Sequence, residues 1–251
     1  MTAIIPAAGK GTRFQPITRV IPKEMLPIGA KPAIHCIVEE AISAGADDVV
    51  VVISPEKELI RRYFEGDPEL SRKVRFAYQK EQRGLGHAVL QAAGKAEGPV
   101  LILLGDALVS GPNPSAEMVA VSKANGGVSV IGMETVAKEK VSRYGIAALE
   151  GPVPNAGESV KIADLVEKPS IEQAPSNLAV AGRYLLDGEI FNLLETQQPG
   201  HGGEIQLTDA IRRLLAVKSV FGYVYPGKRQ DIGNPAGYLA ALEAFYGNNQ
   251  G

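Results

Sequence analysis

The stretch Ile4-Ile5-Pro6-Ala7-Ala8-Gly9-Lys10-Gly11-Thr12-Arg13 decides how this 251-residue chain is read. A short apolar run, residues 3–6, enters a turn of small residues that carries two glycines, Lys10 and Arg13. The run predicts a core strand, and doubly wound sheets bind their ligands in the loops at the carboxyl ends of such strands. Gly9 and Gly11 lack Cβ atoms, so backbone N–H groups can come close to an anion. Thr12 adds a hydroxyl, and Arg13 adds a planar fork that grips phosphate oxygens in pairs. The spacing of a Walker A loop is absent, and the dinucleotide fingerprint fails because its third glycine is replaced by Phe14. On the loop alone, a phosphate site and a plain glycine turn with solvated cations both stay open.

The pattern downstream places that loop in a fold. Ile34, Ile37, Val38, Ala41 and Ile42 recur at helical spacing until Gly45, which predicts an amphipathic helix. "VVVVI" at 49–53 is a continuous β-branched run, as expected of a strand buried on both faces. Pro55 opens a second helix at about 56–65. Strands are predicted at 74–79 and 100–104, with a helix over 86–94 between them. This alternation predicts a mainly parallel sheet covered on both faces. The second half is richer in strands: "GVSVIGME", "GIAALE", "VKIADLVEK", "LAVAGRYLL" and "VFGYVY". Helices are expected around 188–195, 205–215 and 234–245, and "EGPVPNAGES" reads as an exposed loop. With no long linker or repeat, one mixed α/β domain over 1–251 is expected.

Composition narrows the function. A net charge of −2 leaves no basic footprint for nucleic acid and no polybasic membrane patch. No apolar run approaches the roughly 20 residues of a membrane span. The N-terminus has a strand pattern rather than that of a signal peptide, so a soluble cytoplasmic protein is expected. The single cysteine, Cys36, lies in an apolar helical pattern and is expected to be buried and inert. No Ser/His/Asp or Cys/His constellation stands out. His87 is expected to be structural at the start of a helix, His35 to be packed in its helix, and His201 to be exposed.

Lys23 lies in "TRVIPKEMLPIGAKP", between two prolines that stiffen the backbone. Together, "AAGKGTRF", "IPKEMLPI" and the Lys-Pro that follows resemble the signature of the sugar-1-phosphate nucleotidylyltransferases. "IPKEMLPI" is similar in particular to the bacterial UTP–glucose-1-phosphate uridylyltransferase branch. The resemblance runs on through "QKEQRGLGHAV", "LLGDAL", "SRYGI", "VEKP", "APSNLAVAGRYLL", "GGEIQLTDAI" and "RQDIGNPAGYL", in the family's order and across nearly the whole chain. It implies a Rossmann-like three-layer α/β/α nucleotidyltransferase fold with a mixed, mainly parallel central sheet. A nucleotide-binding half would cover about 1–135 and a sugar-binding half about 136–251. The implied reaction moves a uridylyl group from UTP to glucose 1-phosphate by direct in-line attack assisted by Mg²⁺, releasing pyrophosphate. The resemblance also implies a homo-oligomer, dimer or tetramer.

The same resemblance distributes roles. Ala7, Ala8, Gly9, Gly11, Thr12 and Arg13 would wrap the nucleotide, with Gly11 and Arg13 on its β- and γ-phosphates. Lys23 would lie near the α-phosphate, and Arg13, Lys23 and Asp106 form the implied catalytic set. Gln79 ends the third strand; its amide both donates and accepts, which suits uracil. Gly84 would let backbone approach the base. Asp106 follows a buried strand directly, and Asp231 lies in "RQDIGN"; these are the implied Mg²⁺ ligands, although each reads equally well as a turn aspartate. Glu167 would accept sugar hydroxyls and Lys168 would hold the sugar phosphate, with Gly145 and the backbone from Asn177 to Val180 completing the pocket. Glu204 and Asp209 could serve the sugar site or cap a helix.

Two departures stand out. The branch's Gly-Asp-Asp appears here as Gly105-Asp106-Ala107, and Gln82 and Arg83 alter the loop beside the implied base site. They keep two alternatives open: another NTP with another sugar-like 1-phosphate, including a cyclitol phosphate, or a non-catalytic regulatory paralogue. A nucleotide-sugar glycosyltransferase would be expected to carry Asp-x-Asp, where this chain has Asp106-Ala107-Leu108.

Overall fold

A run of four valines has no side to offer water, and Val49 to Ile53 are all fully buried. The computed structural model describes residues 1–246. Its strands are β1 (Thr2–Pro6), β2 (Pro27–Ile28), β3 (Lys31–Pro32), β4 (Asp48–Ile53), β5 (Val74–Tyr78), β6 (Val100–Leu103) and β7 (Ala107–Ser110). They continue with β8 (Ser129–Thr135), β9 (Gly145–Leu149), β10 (Ser159–Glu167), β11 (Leu178–Leu186), β12 (Val220–Val224) and β13 (Lys228–Asp231). The helices are α1 (Ala33–Ser43), α2 (Glu58–Glu65), α3 (Leu85–Leu90), α4 (Pro114–Ala124), α5 (Glu189–Glu195), α6 (Leu207–Leu215) and α7 (Pro235–Tyr246).

One nine-stranded sheet runs in the order β5-β4-β1-β6-β11-β8-β12-β10-β9. The first four strands are parallel. Strand β11 is antiparallel to both β6 and β8, which makes the sheet mixed. Strands β8 and β12 are parallel, while β10 is antiparallel to β12 and β9. The unbroken run of parallel neighbours thus belongs to the first half. There each strand returns through a helix, whereas β9 and β10 are joined by a loop alone, as antiparallel neighbours can be.

Helices cover both faces, giving three layers. Ile34 and Ile37 of α1, Phe64 of α2, Met118 of α4 and Ala241 of α7 pack on one side. Val89 of α3, Ile190 and Leu194 of α5, and Ile211 and Leu214 of α6 pack on the other. Cys36 is half-buried on α1, and burial pushes its thiol pKa up, away from the reactive thiolate. His35 is buried, with Nδ1 2.9 Å from the Tyr63 hydroxyl. Among the described residues no helix is long and apolar enough to cross a membrane.

Two features were not expected from the sequence. Helix α4 lacks a clear apolar stripe; it starts where the Asn113 side chain accepts from the Ala116 N–H at 3.0 Å and Pro114 takes the first turn. Strands β7 and β13 form a two-stranded antiparallel ribbon in which Asp231 lies opposite Ala107. The Ile232 N–H also donates to the Asp106 carbonyl at 2.9 Å. This ribbon carries Asp231 from the far end of the chain to the end of β6.

Candidate active site

The loop after β1 is sorted into inward carbonyls and outward amides. The Ala7 carbonyl accepts from Lys57 Nζ at 2.7 Å, and the Ala8 carbonyl accepts from Gln82 Nε2 at 2.9 Å. The Gly11 carbonyl accepts from the Thr18 hydroxyl at 2.8 Å and the Phe14 N–H at 3.0 Å. The N–H groups of Ala8, Gly9, Lys10 and Gly11 donate to no described group. Backbone donors left free beside tethered carbonyls make an anion-binding concavity. Gly11 holds the turn at φ +64°, a conformation costly for a residue with Cβ.

Nothing in the sequence marks Lys57. It is buried instead, and its ammonium donates to both oxygens of the buried Glu24 at 2.8 and 2.9 Å. Burial pushes the Lys57 pKa down and that of Glu24 up, each against the attraction of its partner. The pair fixes the loop after β1 to the segment that carries Lys23.

Two clefts open at the carboxyl ends of the strands. Ala7, Ala8, Gly9, Lys23, Gln79 and Gly84 line the first. Arg13, Gly145, Glu167, Val180 and Asp231 line the second. Leu85, Leu104 and Asp106 line both, so Asp106 stands at the seam. Its carboxylate pairs with the Lys23 ammonium. Burial alone would raise the Asp106 pKa; the charge and hydrogen bond of Lys23 outweigh it and hold the carboxyl below the usual range. Burial likewise opposes the charge on Lys23, and the carboxylates of Asp106 and Glu24 overcome it and raise its pKa. The pair is therefore fully ionised around neutrality.

Asp231 faces the same seam. A Cβ added at Gly233 would lie 2.8 Å from Asp231 Oδ1, 3.1 Å from Asp106 Oδ2 and 2.8 Å from Arg13 Nη2. Both carboxylates and the guanidinium therefore converge on one small space. Arg13 Nη1 lies 3.9 Å from Asp231 Oδ2, which aims Arg13 at the second cleft. Gly11 and Thr12 line neither cleft.

In the second cleft, a Cβ on Gly145 would lie 3.1 Å from the Thr208 hydroxyl and 3.3 Å from Glu167 Oε2, so space there is tight. Lys168 has φ +46°, the sole positive value among the described non-glycine residues, and its Nζ meets Glu167 Oε1 at 3.4 Å. Asn177 lies outside both clefts, in a separate depression with Lys138 and Val141. Glu204 lines the first cleft rather than the second. Asp209 sits in the first turn of α6, where burial and the charge of Glu167 raise its pKa. Sequence reading gave no role to Arg143, Tyr144 or Arg229, which also line the second cleft. Arg229 pairs with Glu134 at 2.5 Å and lies 5.0 Å over the Tyr144 ring. The two-residue period of a strand aligns Arg229 with Asp231, a signal visible once β13 is recognised.

Gly84 is held at φ +102°, and a Cβ there would lie 2.8 Å from both Glu204 Cβ and the Ile205 carbonyl oxygen. Gly84→Ala is expected to cost about 1–3 kcal/mol. Thermal unfolding checks the effect. A variant that melts with the parent would show that the loop can yield.

A family model described as Nucleotidyl transferase matches residues 2–246, and the chain belongs to that family. UTP–glucose-1-phosphate uridylyltransferase of Bacillus subtilis (strain 168) is 41% identical, over 97% of this chain and 90% of its own length. UTP–glucose-1-phosphate uridylyltransferase 2 of Staphylococcus saprophyticus is 42% identical, over 94% of this chain and 89% of its own. Among solved structures, a UDP-glucose pyrophosphorylase complexed with UDP-glucose superposes with a TM-score of 0.90 at 38% identity, covering 98% of each chain. A UTP-bound UGPase from Acinetobacter baumannii gives a TM-score of 0.88 at 35% identity, covering 99% of this chain and 94% of that one.

Proposed function

We propose that this protein transfers the uridylyl group of UTP to glucose 1-phosphate, giving UDP-glucose and pyrophosphate. The observation that carries this reading is the junction at Asp106, where a cleft edged by free backbone amides meets a second cleft edged by Glu167 and Gly145. The curated relatives that carry that activity in their names match nearly end to end, and the two solved neighbours hold UDP-glucose and UTP. We read residues 1–251 as one domain, supported by the β6–β11 pairing that joins the two halves in one sheet. Residues 247–251 of that span lie outside the described residues.

A phosphate oxygen of the sugar phosphate attacks the α-phosphorus of UTP. The new O–P bond forms as the bond from that phosphorus to the bridging oxygen breaks, and pyrophosphate leaves with the electron pair. The attacking oxygen is already anionic at neutral pH, so neither a protein nucleophile nor a general base is needed. The protein's work is alignment and charge neutralisation. The loop amides of Ala8 and Gly9 take phosphate oxygens, and Lys23 offsets charge at the α-phosphorus. Arg13, braced by Asp231, draws the incoming phosphate from the other side. Glu167 accepts sugar hydroxyls beside Gly145 and Val180, and Lys168 leaves Glu167 to meet the sugar phosphate.

The converging carboxylates of Asp106 and Asp231 fit Mg²⁺, a hard ion that takes a few protein oxygens and completes its shell from phosphate and water. When bound, the ion polarises phosphate oxygens and offsets repulsion between the two polyanions.

Pyrophosphate release tests the reading, with UTP, dTTP, GTP, ATP and CTP crossed against glucose, galactose, N-acetylglucosamine and cyclitol phosphates. The expected result is turnover with UTP and glucose 1-phosphate that EDTA abolishes and Mg²⁺ restores. A different preferred pair would replace the substrates. Folded protein that binds UTP yet releases nothing with any pair would be a regulatory paralogue.

A further inference from the structure

Gln79 follows directly on β5, is buried, and lines the first cleft. Its amide nitrogen has two hydrogens, and both have acceptors in place. Nε2 lies 3.1 Å from the Gly84 carbonyl oxygen and 3.0 Å from His87 Nδ1. The carbonyl can only accept, so the amide nitrogen must face it. Oε1 takes no bond from any described group and is what Gln79 has left to offer a ligand in the cleft it lines. The sequence expectation of an amide that both donates and accepts thus narrows to one that accepts.

The ring of His87 is set to match. Its Nε2 lies 3.3 Å from the amide nitrogen of Gln91, which itself donates to the His87 carbonyl at 3.0 Å. Both ring nitrogens face amide nitrogens, from which an imidazolium, a donor at both positions, could accept nothing; the Glu81 carbonyl and carboxylate favour that charged form and are outweighed. A neutral ring accepts at the shorter contact, Nδ1. Burial, and then the Arg83 guanidinium, hold the His87 pKa below its ordinary value.

We propose that His87 is a positioning residue for base selection: by accepting from Gln79 at Nδ1, it holds Gln79 Oε1 toward the N3–H of a uracil. Uracil presents a donor at N3, whereas cytosine presents a lone pair there and would face Oε1 acceptor to acceptor. A site built to receive an N–H rejects an analogue that lacks it, because a buried acceptor is left unpaired. The inference rests on reading the first cleft as the nucleotide site.

The test compares wild type, His87→Leu and His87→Asn. UTP and CTP binding would be measured by calorimetry in Mg²⁺, and kcat/KM for both nucleotides with glucose 1-phosphate. Leucine removes the acceptor; asparagine can place its side-chain oxygen near the position of Nδ1. The expected result is a wild type that prefers UTP and a His87→Leu variant whose UTP-over-CTP ratio falls about tenfold, the scale of one lost hydrogen bond. That loss should fall on KM more than kcat, and His87→Asn should recover most of the ratio. An unchanged ratio in His87→Leu, or an asparagine variant that falls as far as leucine, overturns the role of Nδ1. So does a wild type that binds both nucleotides alike. A wild type that binds UTP over CTP but turns over neither would overturn the transfer reaction alone, and the binding ratios of the variants would still decide the role of His87.

Discussion

Lys23→Ala is expected to lower kcat by about two to three orders of magnitude, the usual loss when one preorganised charge is removed from a reacting centre. The second part of the effect is a new pH dependence. In the parent, Lys23 holds the Asp106 carboxyl below its ordinary pKa against burial, which pushes the other way. Without the ammonium, only the Arg13 guanidinium and a backbone hydrogen bond still oppose burial, and the carboxyl pKa climbs. More of Asp106 is then protonated near neutrality, where the proposed metal ligand must be anionic. Residual activity of the variant should therefore rise with pH across a range where the parent is flat. The fold should survive, because Lys57 still satisfies Glu24. Saturated turnover within about threefold of the parent would remove Lys23 from the neutralising role.

Glu40→Ala is expected to cost about 3–5 kcal/mol, the range for stripping one partner from a buried ion pair. Arg183 is fully buried on β11, and its guanidinium makes two 2.7 Å bonds to the Glu40 carboxylate. It also donates at 2.7 Å to the Ala107 carbonyl, and Glu40 accepts from the Ser115 hydroxyl at 2.6 Å. Removing the carboxylate leaves a cation with no route to water. Thermal unfolding should drop by roughly 10 °C, given the 2–4 °C per kcal/mol usual at this size. The pair Glu40→Leu with Arg183→Met should recover part of that loss, since no buried charge remains. A single-variant shift below about 2 °C would mean that Arg183 finds another partner or water. Activity should fall too, because Arg183 braces the backbone next to Asp106.

Much of this fold is legible wherever burial imposes a period. The valines at 49–52 and the stripe through Ile34, Ile37 and Val38 could not be placed otherwise, and the strands of the second half also follow their apolar runs. Helix α4 escapes because its apolar residues do not gather on one face; its signal is the Asn113-Pro114 start. The β7–β13 ribbon escapes because its partners lie more than a hundred residues apart and neither strand exceeds four residues. That omission matters for the site. By spacing alone Asp106 and Asp231 fit a metal ligand and a turn aspartate equally well, and the ribbon is what brings their carboxylates to one space. Lys57 and Arg183 were hidden for another reason. A sequence shows that a cation exists, while its burial depends on a carboxylate, Glu24 or Glu40, supplied from far along the chain. Ala107, which stands where the branch has its second acid, is buried and gives its carbonyl to Arg183.

Ile205 is clamped on both sides of its residue. Its N–H donates to the Arg83 carbonyl at 2.7 Å, and its own carbonyl accepts from the Gly86 N–H at 2.8 Å. Glu204, just before it, lines the first cleft, and Gln206, Leu207 and Thr208, just after it, line the second. The loop at 83–86 and the segment leading into α6 are therefore rungs of one short ladder and shift together. If an occupant of either cleft displaces that ladder, it changes the affinity of the other cleft for its own occupant. Linkage then requires the change to be mutual: whatever factor one substrate confers on the other's dissociation constant, it receives in return.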